Sequence, residues 1–458
     1  RIGDIMEFKR NFLWGTATAT YQIEGAALEE GRGASVWDRF SHTPGKVFEG
    51  HTGDVGCNHY HHMEEDVQLM ARLGIPNYRF SLSWSRILPE GTGKINQKGI
   101  DFYHRLIDTL LKYDIRPFMT LFHWDYPAAL QSRGAWENPE SVHWFTEYAA
   151  LCAKRFGDRV KDFIPFNEPQ CFIGLGNVNG VHAPGLRVPI SSSIPMAHHV
   201  LCANGAAMKT IQSIVPDARM AYAPCGNPMI PASDSQADIE AARKAYFSMC
   251  DDADNWAWNV VWWSDPVLLG RYPEDGLRLY EQYLPIHWEK DLPKMQHKLD
   301  FYGQNIYQGD RICAADNTKG FARVKHAIGI AKTGLQWPIT PECLYWGPKF
   351  LYERYQTPIL ITENGLSCHD AVSLDGKVHD PNRENYIHRY LRALYRAAEE
   401  GADIAGYFYW SFMDNFEWAE GYKERFGLVY VDYSNQERIV KDSAYWYQKV
   451  IQSNGRIL

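Results

Sequence analysis

The sequence predicts an α/β protein, a (β/α)8 TIM barrel formed by a single domain whose long βα loops build the active-site pocket. Eight short runs rich in β-branched and aromatic residues alternate with stretches of helical periodicity along 458 residues, which is the pattern of repeated βα units around a parallel sheet. Two of these runs end close to a glutamate, Glu168 in FIPFNEPQ and Glu363 in PILITENGL. Active sites of such barrels lie at the C-terminal ends of the strands, so we expect these two carboxyl groups to meet there.

Eight apolar runs of strand length are predicted to form the barrel. In chain order they are Phe12 to Ala17, Tyr78 to Ser83, Pro117 to Phe122, Phe163 to Phe166, Met220 to Ala223, Phe301 to Ile306, Ile359 to Thr362 and Ala405 to Trp410. Glu168 and Glu363 then follow the fourth and the seventh strand.

The stretches between these runs show apolar residues at helical spacing. The predicted helices are His62 to Leu73, Gly99 to Leu111, Ser141 to Phe156, Ile194 to Ile214, Ala237 to Trp258, Glu342 to Tyr355, Arg383 to Glu400 and Ser443 to Ile451. Eight strands and eight helices in alternation are the element set of a (β/α)8 barrel.

Most of the extra length follows strand ends, and we expect it to wall the pocket. These loops are Thr18 to Asn58, Gly174 to Pro189, Tyr307 to Pro341 and Met413 to Lys441. Barrels run long as one domain, so we expect one catalytic domain over residues 6–458. Residues 1–5, which precede Met6, are expected to be an added segment outside the fold.

Composition excludes several classes of function. Hydrophobic residues make up 45% and charged residues 22% of the chain, which is typical of a globular protein with a large core. A net charge of −8 gives no basic patch for nucleic acid or anionic lipid. Sixteen Trp and 27 Tyr supply flat apolar faces on which sugar rings can stack.

Nine cysteines are scattered along the chain and never form a CxxC pair. This argues against a disulfide framework and indicates a reducing compartment. The sequence shows no signal-peptide pattern and no apolar run long enough to span a membrane. We therefore expect a cytoplasmic protein without a membrane partner.

Paired carboxyl groups are the chemistry that cleaves glycosidic bonds. One carboxylic acid protonates the leaving oxygen, while one carboxylate acts from the opposite face of the sugar. In the run Tyr78 to Ser83, strand alternation places Arg79, Ser81 and Ser83 on one face, which we expect to point into the barrel. A guanidinium there needs a counterion, so Arg79 is predicted to pair with Glu363; the alternative is a purely structural ion pair.

Six ordered motifs carry a resemblance to a known family. The segments FLWGTATATYQIEGA, YRFSLSWSRILP, LFHWDYP, FNEP, ITENG and YWSFMDNFEWAEGY resemble glycoside hydrolase family 1, and the match runs from Phe12 to roughly Tyr447. The resemblance implies a retaining β-glycosidase of the β-glucosidase type without a cofactor. It also implies carboxyl groups roughly 5 to 5.5 Å apart, as opposed to the wider gap of inverting enzymes.

The resemblance also implies roles for individual residues. Glu168 would be the acid/base and Glu363 the nucleophile, with Arg79, Asn305 and Tyr307 supporting the nucleophile. The residues implied to bind substrate are Gln22, His123, Trp124, Asn167, Trp337, Trp410, Glu417, Trp418 and Phe426. Judged by residue type alone, Gln22 and His123 could equally be satisfied core polar residues, and Trp410 a core aromatic.

Three other readings share this scaffold, and the presence of Glu168 argues against the thioglucosidase-like one. A 6-phospho-β-glycosidase would need cationic groups near the sixth carbon of the sugar, whereas Glu417 and Trp418 occupy that tip and a carboxylate would repel phosphate. A thioglucosidase-like relative would lack Glu168. A non-catalytic sugar-binding barrel typically loses one of the two carboxylates.

A metal centre is not expected. Cys57, His59, His61 and His62 superficially resemble metal ligands, but they open a helix, and His61 and His62 point to different sides. The expected partner is a β-glucoside or oligosaccharide. The preference among glucose, galactose and fucose, the leaving group and the oligomeric state are not determined by the sequence.

Overall fold

A computed structural model describes residues 5–458 of the chain. Its strands in chain order are β1 (Leu13–Ala17), β2 (Asn77–Ser81), β3 (Arg116–Phe122), β4 (Asp162–Phe166), β5 (Arg219–Tyr222), β6 (Met229–Pro231), β7 (Phe301–Asn305), β8 (Asp310–Ala314), β9 (Phe321–Val324), β10 (Ile359–Asn364), β11 (Ile404–Trp410), β12 (Val429–Asp432) and β13 (Glu437–Val440).

The α-helices are α1 (Thr20–Ile23), α2 (Val36–Ser41), α3 (His59–Arg72), α4 (Trp84–Ile87), α5 (Gln97–Lys112), α6 (Ala128–Gln131), α7 (Ser141–Phe156), α8 (Pro169–Ile173), α9 (Ile190–Ile214), α10 (Gln236–Tyr246), α11 (Val261–Leu268), α12 (Glu274–Tyr280), α13 (Leu292–Met295), α14 (Cys343–Tyr355), α15 (Pro381–Glu399) and α16 (Asp442–Gln452).

Eight of the strands form a closed barrel in the order β1-β11-β10-β7-β5-β4-β3-β2. All pairs in this barrel are parallel. The predicted (β/α)8 fold is confirmed, and each of the eight predicted strands overlaps one barrel strand. Residues 1–4 lie outside the described part of the chain, so the expectation about residues 1–5 stays a prediction.

The largest error in the sequence-based elements concerns the helix predicted over Ala237 to Trp258, because α10 ends at Tyr246. The apolar residues Trp256 and Trp258 extend the apparent periodicity. The chain between them and α10 turns instead, with Asp252 accepting hydrogen bonds from the Asn255 side chain and the Asp254 amide. The prediction also missed α11, whose sequence VWWSDPVL has apolar residues on both sides of Ser264 and Asp265 and lacks an amphipathic period.

Salt bridges close the N-terminal end of the barrel. Asp162 at the start of β4 accepts hydrogen bonds from Arg116 on β3, at 2.8 Å, and from Arg219 on β5, at 2.7 Å. Above them, Phe118 and Phe408 pack inside the barrel with ring centroids 5.0 Å apart. The interior is therefore filled at this end, and only the C-terminal end remains open for a pocket.

The long loops that follow the barrel strands carry their own structure. The loop after β7 forms the antiparallel pair β8 and β9, and the loop after β11 ends in the hairpin β12 and β13. A hydrogen-bond chain fixes the second loop: Arg383 on α15 donates to the hydroxyl of Tyr409, which donates to the carbonyl of Phe426. Phe426 is thereby held above the barrel mouth.

Within residues 5–458, no helix combines the length and the apolar character needed to cross a bilayer.

Candidate active site

Glu363 is fixed at the C-terminal end of β10, one residue inside the strand end rather than after it as the sequence suggested. Both carboxylate oxygens are occupied: Oε1 accepts from Arg79 Nη1 at 2.8 Å, and Oε2 accepts from the Tyr307 hydroxyl at 2.6 Å. The side chain is almost completely buried. One cation and one phenol therefore stabilise the ionised form of this carboxyl group.

Glu168 lies just after β4 and precedes α8, where Pro169 fits the first helical position. Its backbone has φ 47°, in the left-handed region. Asn305 Nδ2 donates to Glu168 Oε1 at 2.8 Å, and the Cys171 thiol donates to Oε2 at 3.0 Å. The sequence analysis did not predict the Cys171 contact. Cys171 follows Glu168 by three residues at the start of α8, a spacing at which two side chains can meet.

The two glutamates have contrasting partners, which sets their protonation. Burial, followed by the negative charge of Glu363, raises the pKa of Glu168 to about 7. Burial also raises the pKa of Glu363, but Arg79 and Tyr307 oppose that rise. Since the guanidinium contacts Glu363 and Glu168 has only neutral donors, Glu363 is the member of the pair that ionises first.

The Asn305 amide connects the two carboxyl groups. It donates to Glu168, and a hydrogen bond from the same side chain lowers the pKa of Glu363. Its carbonyl oxygen in turn accepts from the hydroxyl of Thr362 at 2.6 Å. The two carboxyl groups therefore lie close together at the C-terminal end of the barrel, as the strand-end argument predicted.

A pH dependence follows from this arrangement. The roles predicted from the sequence, acid/base for Glu168 and nucleophile for Glu363, need Glu168 protonated and Glu363 ionised. On that prediction kcat/KM is expected to fall as pH rises through about 7, where Glu168 loses its proton. It should also fall at low pH, where Glu363 gains one. A pH profile of kcat/KM on an alkyl β-glucoside measures both limbs, and an alkaline limb that starts only above about pH 9 would contradict the assignment.

Arg79 points into the barrel, as the strand alternation predicted. Besides Glu363, it donates from Nη2 to Asn167 Oδ1 at 2.6 Å and from Nε to the Thr120 hydroxyl at 3.1 Å. The guanidinium thus fixes the orientation of the Asn167 amide, whose Nδ2 then faces His123 Nε2 at 3.1 Å.

His123 is a neutral imidazole in this setting. Burial, and then the charge of Arg79, lower its pKa well below the ordinary value. Because Nε2 accepts from Asn167, Nδ1 carries the hydrogen, and that buried atom has no partner among the described residues. An N–H group without a partner at the pocket is suited to donate to a sugar hydroxyl.

Gln22 and Glu417 lie side by side. Gln22 Nε2 donates to the carbonyl of Phe416 at 2.9 Å and to Glu417 Oε2 at 3.3 Å. Gln22 Oε1 is buried and unpaired in the described part of the chain. Burial and the charges of Glu363 and Glu168 raise the pKa of Glu417 well above its ordinary value, so an acceptor and a protonated carboxyl group are both available here.

Aromatic rings surround the imidazole of His123. The ring of Trp410 stacks on it at 5.8 Å and that of Trp418 at 5.9 Å between centroids. Trp124 packs against Trp418 at 4.5 Å, but its indole N–H donates to the Asn167 carbonyl at 3.1 Å. Trp124 therefore supports the pocket, whereas the Trp418 N–H donates to no other residue of the described chain.

Trp337 and Phe426 lie on the side of the nucleophile. The ring of Trp337 is 5.4 Å from Tyr307 and 6.3 Å from Phe426. Trp337 is half-buried in the loop that follows β7, so it lies farther out than the residues on the strand ends. The contact of Trp337 with substrate stays a prediction.

The sequence cluster around His59 is dispersed in the fold. The Cys57 thiol donates to the Asp414 carbonyl, His59 contacts Asp66 at 2.8 Å, and His61 contacts Glu29 at 2.7 Å. These side chains have separate partners and do not converge on one point.

Tyr307→Phe tests the hydrogen bond to Glu363. A hydrogen bond to a charged group contributes about 1.5 to 3 kcal/mol, so its loss should raise the pKa of Glu363 by about one to two units. The acid limb of kcat/KM is expected to move to higher pH by that amount. Tyr148→Phe is the matched control, because the Tyr148 hydroxyl donates to the Leu121 carbonyl. An unmoved acid limb in Tyr307→Phe would contradict the role.

A parallel barrel with two buried, differently supported glutamates at its open end defines a glycoside hydrolase. The chain belongs to glycosyl hydrolase family 1, whose model matches residues 5–456. It is similar to "Beta-glucosidase A" of Thermotoga maritima, with 45% identity over 455 residues covering 99% of both chains.

Two further comparisons agree with this. A "1,4-beta-D-glucan glucohydrolase" of Thermotoga neapolitana is 44% identical over 452 residues, covering 98% of this chain and 99% of that one. A solved structure titled "Beta-glucosidase from Thermotoga maritima in complex with glucoimidazole" has a TM-score of 0.90 and 45% identity, covering 98% of this chain and 100% of the other.

Proposed function

We propose that this protein is a retaining β-glucosidase that hydrolyses terminal non-reducing β-D-glucosyl residues of cello-oligosaccharides and of aryl and alkyl β-glucosides. The proposal rests mainly on the different hydrogen-bond donors of the two glutamates. Glu363 accepts from the Arg79 guanidinium and the Tyr307 hydroxyl, whereas Glu168 accepts only from the neutral side chains of Asn305 and Cys171. An ionised carboxylate and a carboxylic acid facing one pocket are the pair that this reaction requires. The names of the relatives in two Thermotoga species support the substrate class.

In the first step, Glu363 attacks the anomeric carbon while the bond to the leaving oxygen breaks. Glu168 transfers its proton to that oxygen, and a covalent glycosyl enzyme forms on Glu363. Arg79 and Tyr307 stabilise the carboxylate before attack and fix its direction.

In the second step, Glu168 removes a proton from a water molecule, whose oxygen attacks the anomeric carbon and releases Glu363. Two displacements on the same carbon keep the anomeric configuration. Proton NMR of the first product formed from a β-glucoside should therefore show the β-anomer.

Recognition of the ring is proposed to use the unpaired polar groups of the pocket. Gln22 Oε1 would accept and His123 Nδ1 would donate a hydrogen bond, since neither has a partner in the described chain. Glu417 and the indole N–H of Trp418 would bind hydroxyls at the tip, with Asn167 behind His123 and Trp410 below the ring.

A phosphorylated substrate is not supported by the pocket. Lys423 forms a salt bridge with Glu420 and lies over the ring of Phe48, so it is directed to these partners. Glu417 would place a carboxyl group beside a phosphate.

A panel of chromogenic β-glycosides tests the proposal. Nitrophenyl β-D-glucoside, galactoside and fucoside would be compared with the 6-phosphate of the glucoside at equal enzyme concentration. We expect turnover of the unphosphorylated glucoside and less than about one hundredth of that rate with the phosphate, because a dianionic phosphate beside Glu417 would be buried without a cationic partner. Turnover only with the phosphorylated sugar would refute the substrate class.

We also propose a reducing, cytoplasmic location. All nine cysteines are unpaired in the described chain, although Cys171 and Cys225 lie close together. An oxidising compartment would expose such neighbouring thiols to disulfide formation. Fractionation of the source cells with an activity assay tests this.

A further inference from the structure

Two thiols lie directly behind the acid/base. Cys171 and Cys225 have their sulfur atoms 3.9 Å apart, and the Cys171 sulfur is 3.0 Å from Glu168 Oε2. One donor atom from each of these three residues lies within 4.8 Å of the other two. All three side chains are at least nine-tenths buried, with Cys225 at 9% exposure and Glu168 at 7%.

The backbone holds the two thiols at this spacing. Gln170 on α8 accepts a hydrogen bond from the Cys225 amide at 3.2 Å and donates to the Cys225 carbonyl at 2.9 Å. Cys225 also forms a parallel bridge with Asn305 at the end of β7. The thiol of Cys171 comes from α8 and that of Cys225 from the loop after β5, so two rigid parts of the barrel set the sulfur separation.

This separation matches a tetrahedral metal site. Zinc binds thiolate at about 2.3 Å, which places two thiolates on one ion about 3.8 Å apart. The Glu168 carboxylate oxygen is a suitable third ligand. Soft or borderline cations prefer the two thiolates to the oxygen ligands elsewhere in the site. The fourth position would face the space where the leaving group departs.

We propose that Cys171, Cys225 and Glu168 form an inhibitory binding site for thiophilic divalent cations such as Zn²⁺ and Cd²⁺. Binding releases the two thiol protons and the carboxyl proton to solvent, and three ligand-to-metal bonds form. No oxidant is needed. The bound ion holds Glu168 as a carboxylate, so the side chain has no proton to give to the leaving oxygen and is a weaker base toward water.

The second cluster of similar composition is weaker. His198, Cys202 and Asp291 also place donor atoms within 4.8 Å of one another. However, both ring nitrogens of His198 already have partners, the Tyr272 hydroxyl at 2.9 Å and Asp291 at 3.0 Å. Cys202 is nevertheless valuable as a control, because its exposure equals the 9% of Cys225.

The test compares Cys225→Ser with Cys202→Ser and the unsubstituted enzyme. Cd²⁺ would be titrated while ultraviolet absorbance of the cadmium–thiolate bond and equilibrium dialysis report binding. Inhibition would be measured on an alkyl β-glucoside and reversed with EDTA. We expect one high-affinity ion in the unsubstituted enzyme and in Cys202→Ser, and at least a tenfold weaker affinity and inhibition in Cys225→Ser.

The inhibitory part rests on the proposed function, whereas the binding readouts do not depend on catalysis. If Cys225→Ser does not fold, as judged by circular dichroism, Cys225→Ala replaces it. Equal Cd²⁺ affinity in Cys225→Ser and the unsubstituted enzyme, or loss of binding in Cys202→Ser alone, would overturn the site. Tight binding at Cys225 without inhibition would overturn the contact with Glu168.

Discussion

Glu363→Gln and Glu363→Ala are expected to lose measurable hydrolysis of every β-glycoside, aryl or alkyl. Without the carboxylate no glycosyl enzyme can form, and the loss should reach about 10⁴-fold or more, the scale seen when a covalent nucleophile is removed. The assay is initial rate on a nitrophenyl β-glucoside, with mass spectrometry of enzyme trapped by a 2-fluoro glucoside as a second readout. Only an enzyme with an intact Glu363 should gain the mass of the sugar.

Loss of structure must be separated from loss of chemistry in these variants. Removal of Glu363 leaves the buried guanidinium of Arg79 without its counterion, which costs about 3 to 5 kcal/mol when a buried pair is broken. Circular dichroism at the assay temperature therefore accompanies each rate. Glu353→Ala, on the surface beside Arg243, is the matched control and should keep full activity. A folded Glu363→Gln with activity within tenfold of the parent would refute the role of nucleophile.

Glu168→Ala should give a pattern that depends on the substrate. General acid catalysis is worth about 10² to 10⁴-fold, and alkyl glycosides need all of it because alkoxides are poor leaving groups. Nitrophenyl glycosides need little protonation, so their first step should be nearly unaffected and their glycosyl enzyme should accumulate. The measurement is kcat/KM on a matched pair of aryl and alkyl β-glucosides.

Azide sharpens the interpretation of Glu168→Ala. As an anion it needs no general base, so it should enter the space left by the carboxyl group and restore turnover of the aryl substrate as a β-glycosyl azide. Glu363→Ala should not give the β-glycosyl azide, because without the Glu363 carboxylate no glycosyl enzyme forms for azide to attack. If Glu168→Ala loses equal activity on aryl and alkyl glucosides and azide does not restore turnover, Glu168 is not the acid/base.

The barrel was predictable because its strands are buried on both faces. Runs such as Phe301 to Ile306 and Ala405 to Trp410 are short, apolar and bounded by polar turns, and each lies on the observed β7 or β11. The end of helix α10 was not predictable from the spacing of apolar residues, which continues to Trp258. Trp256 is buried from a loop, where it contacts Trp263 on α11 and the Ser193 hydroxyl on α9, whereas Trp258 is exposed. The apolar spacing of this segment therefore does not reflect a helix.

The site was predictable where strand ends and alternation determine position. Arg79, Glu168 and Glu363 needed only that argument to be placed together. Gln22, Glu417 and Trp337 depended on the family resemblance, because they lie outside the barrel strands, Gln22 in the short helix α1 and the other two in loops. Their roles stay proposals. The Cys171 thiol and the hydroxyls of Thr120 and Thr362 escaped prediction, because small side chains behind a pocket carry no sequence signal of their own.

The protonation of the carboxyl groups at the site determines which ligand charge it favours. The pKa values of Glu168 and Glu417 are raised, so both groups lose their protons at higher pH than an ordinary glutamate, and Arg79 is the counterion of Glu363. The negative charge of the site is thereby reduced, which favours an uncharged pyranose. An iminosugar with a protonated ring nitrogen would favour ionised Glu168 beside ionised Glu363. Its binding should therefore release a proton from Glu168 to the buffer.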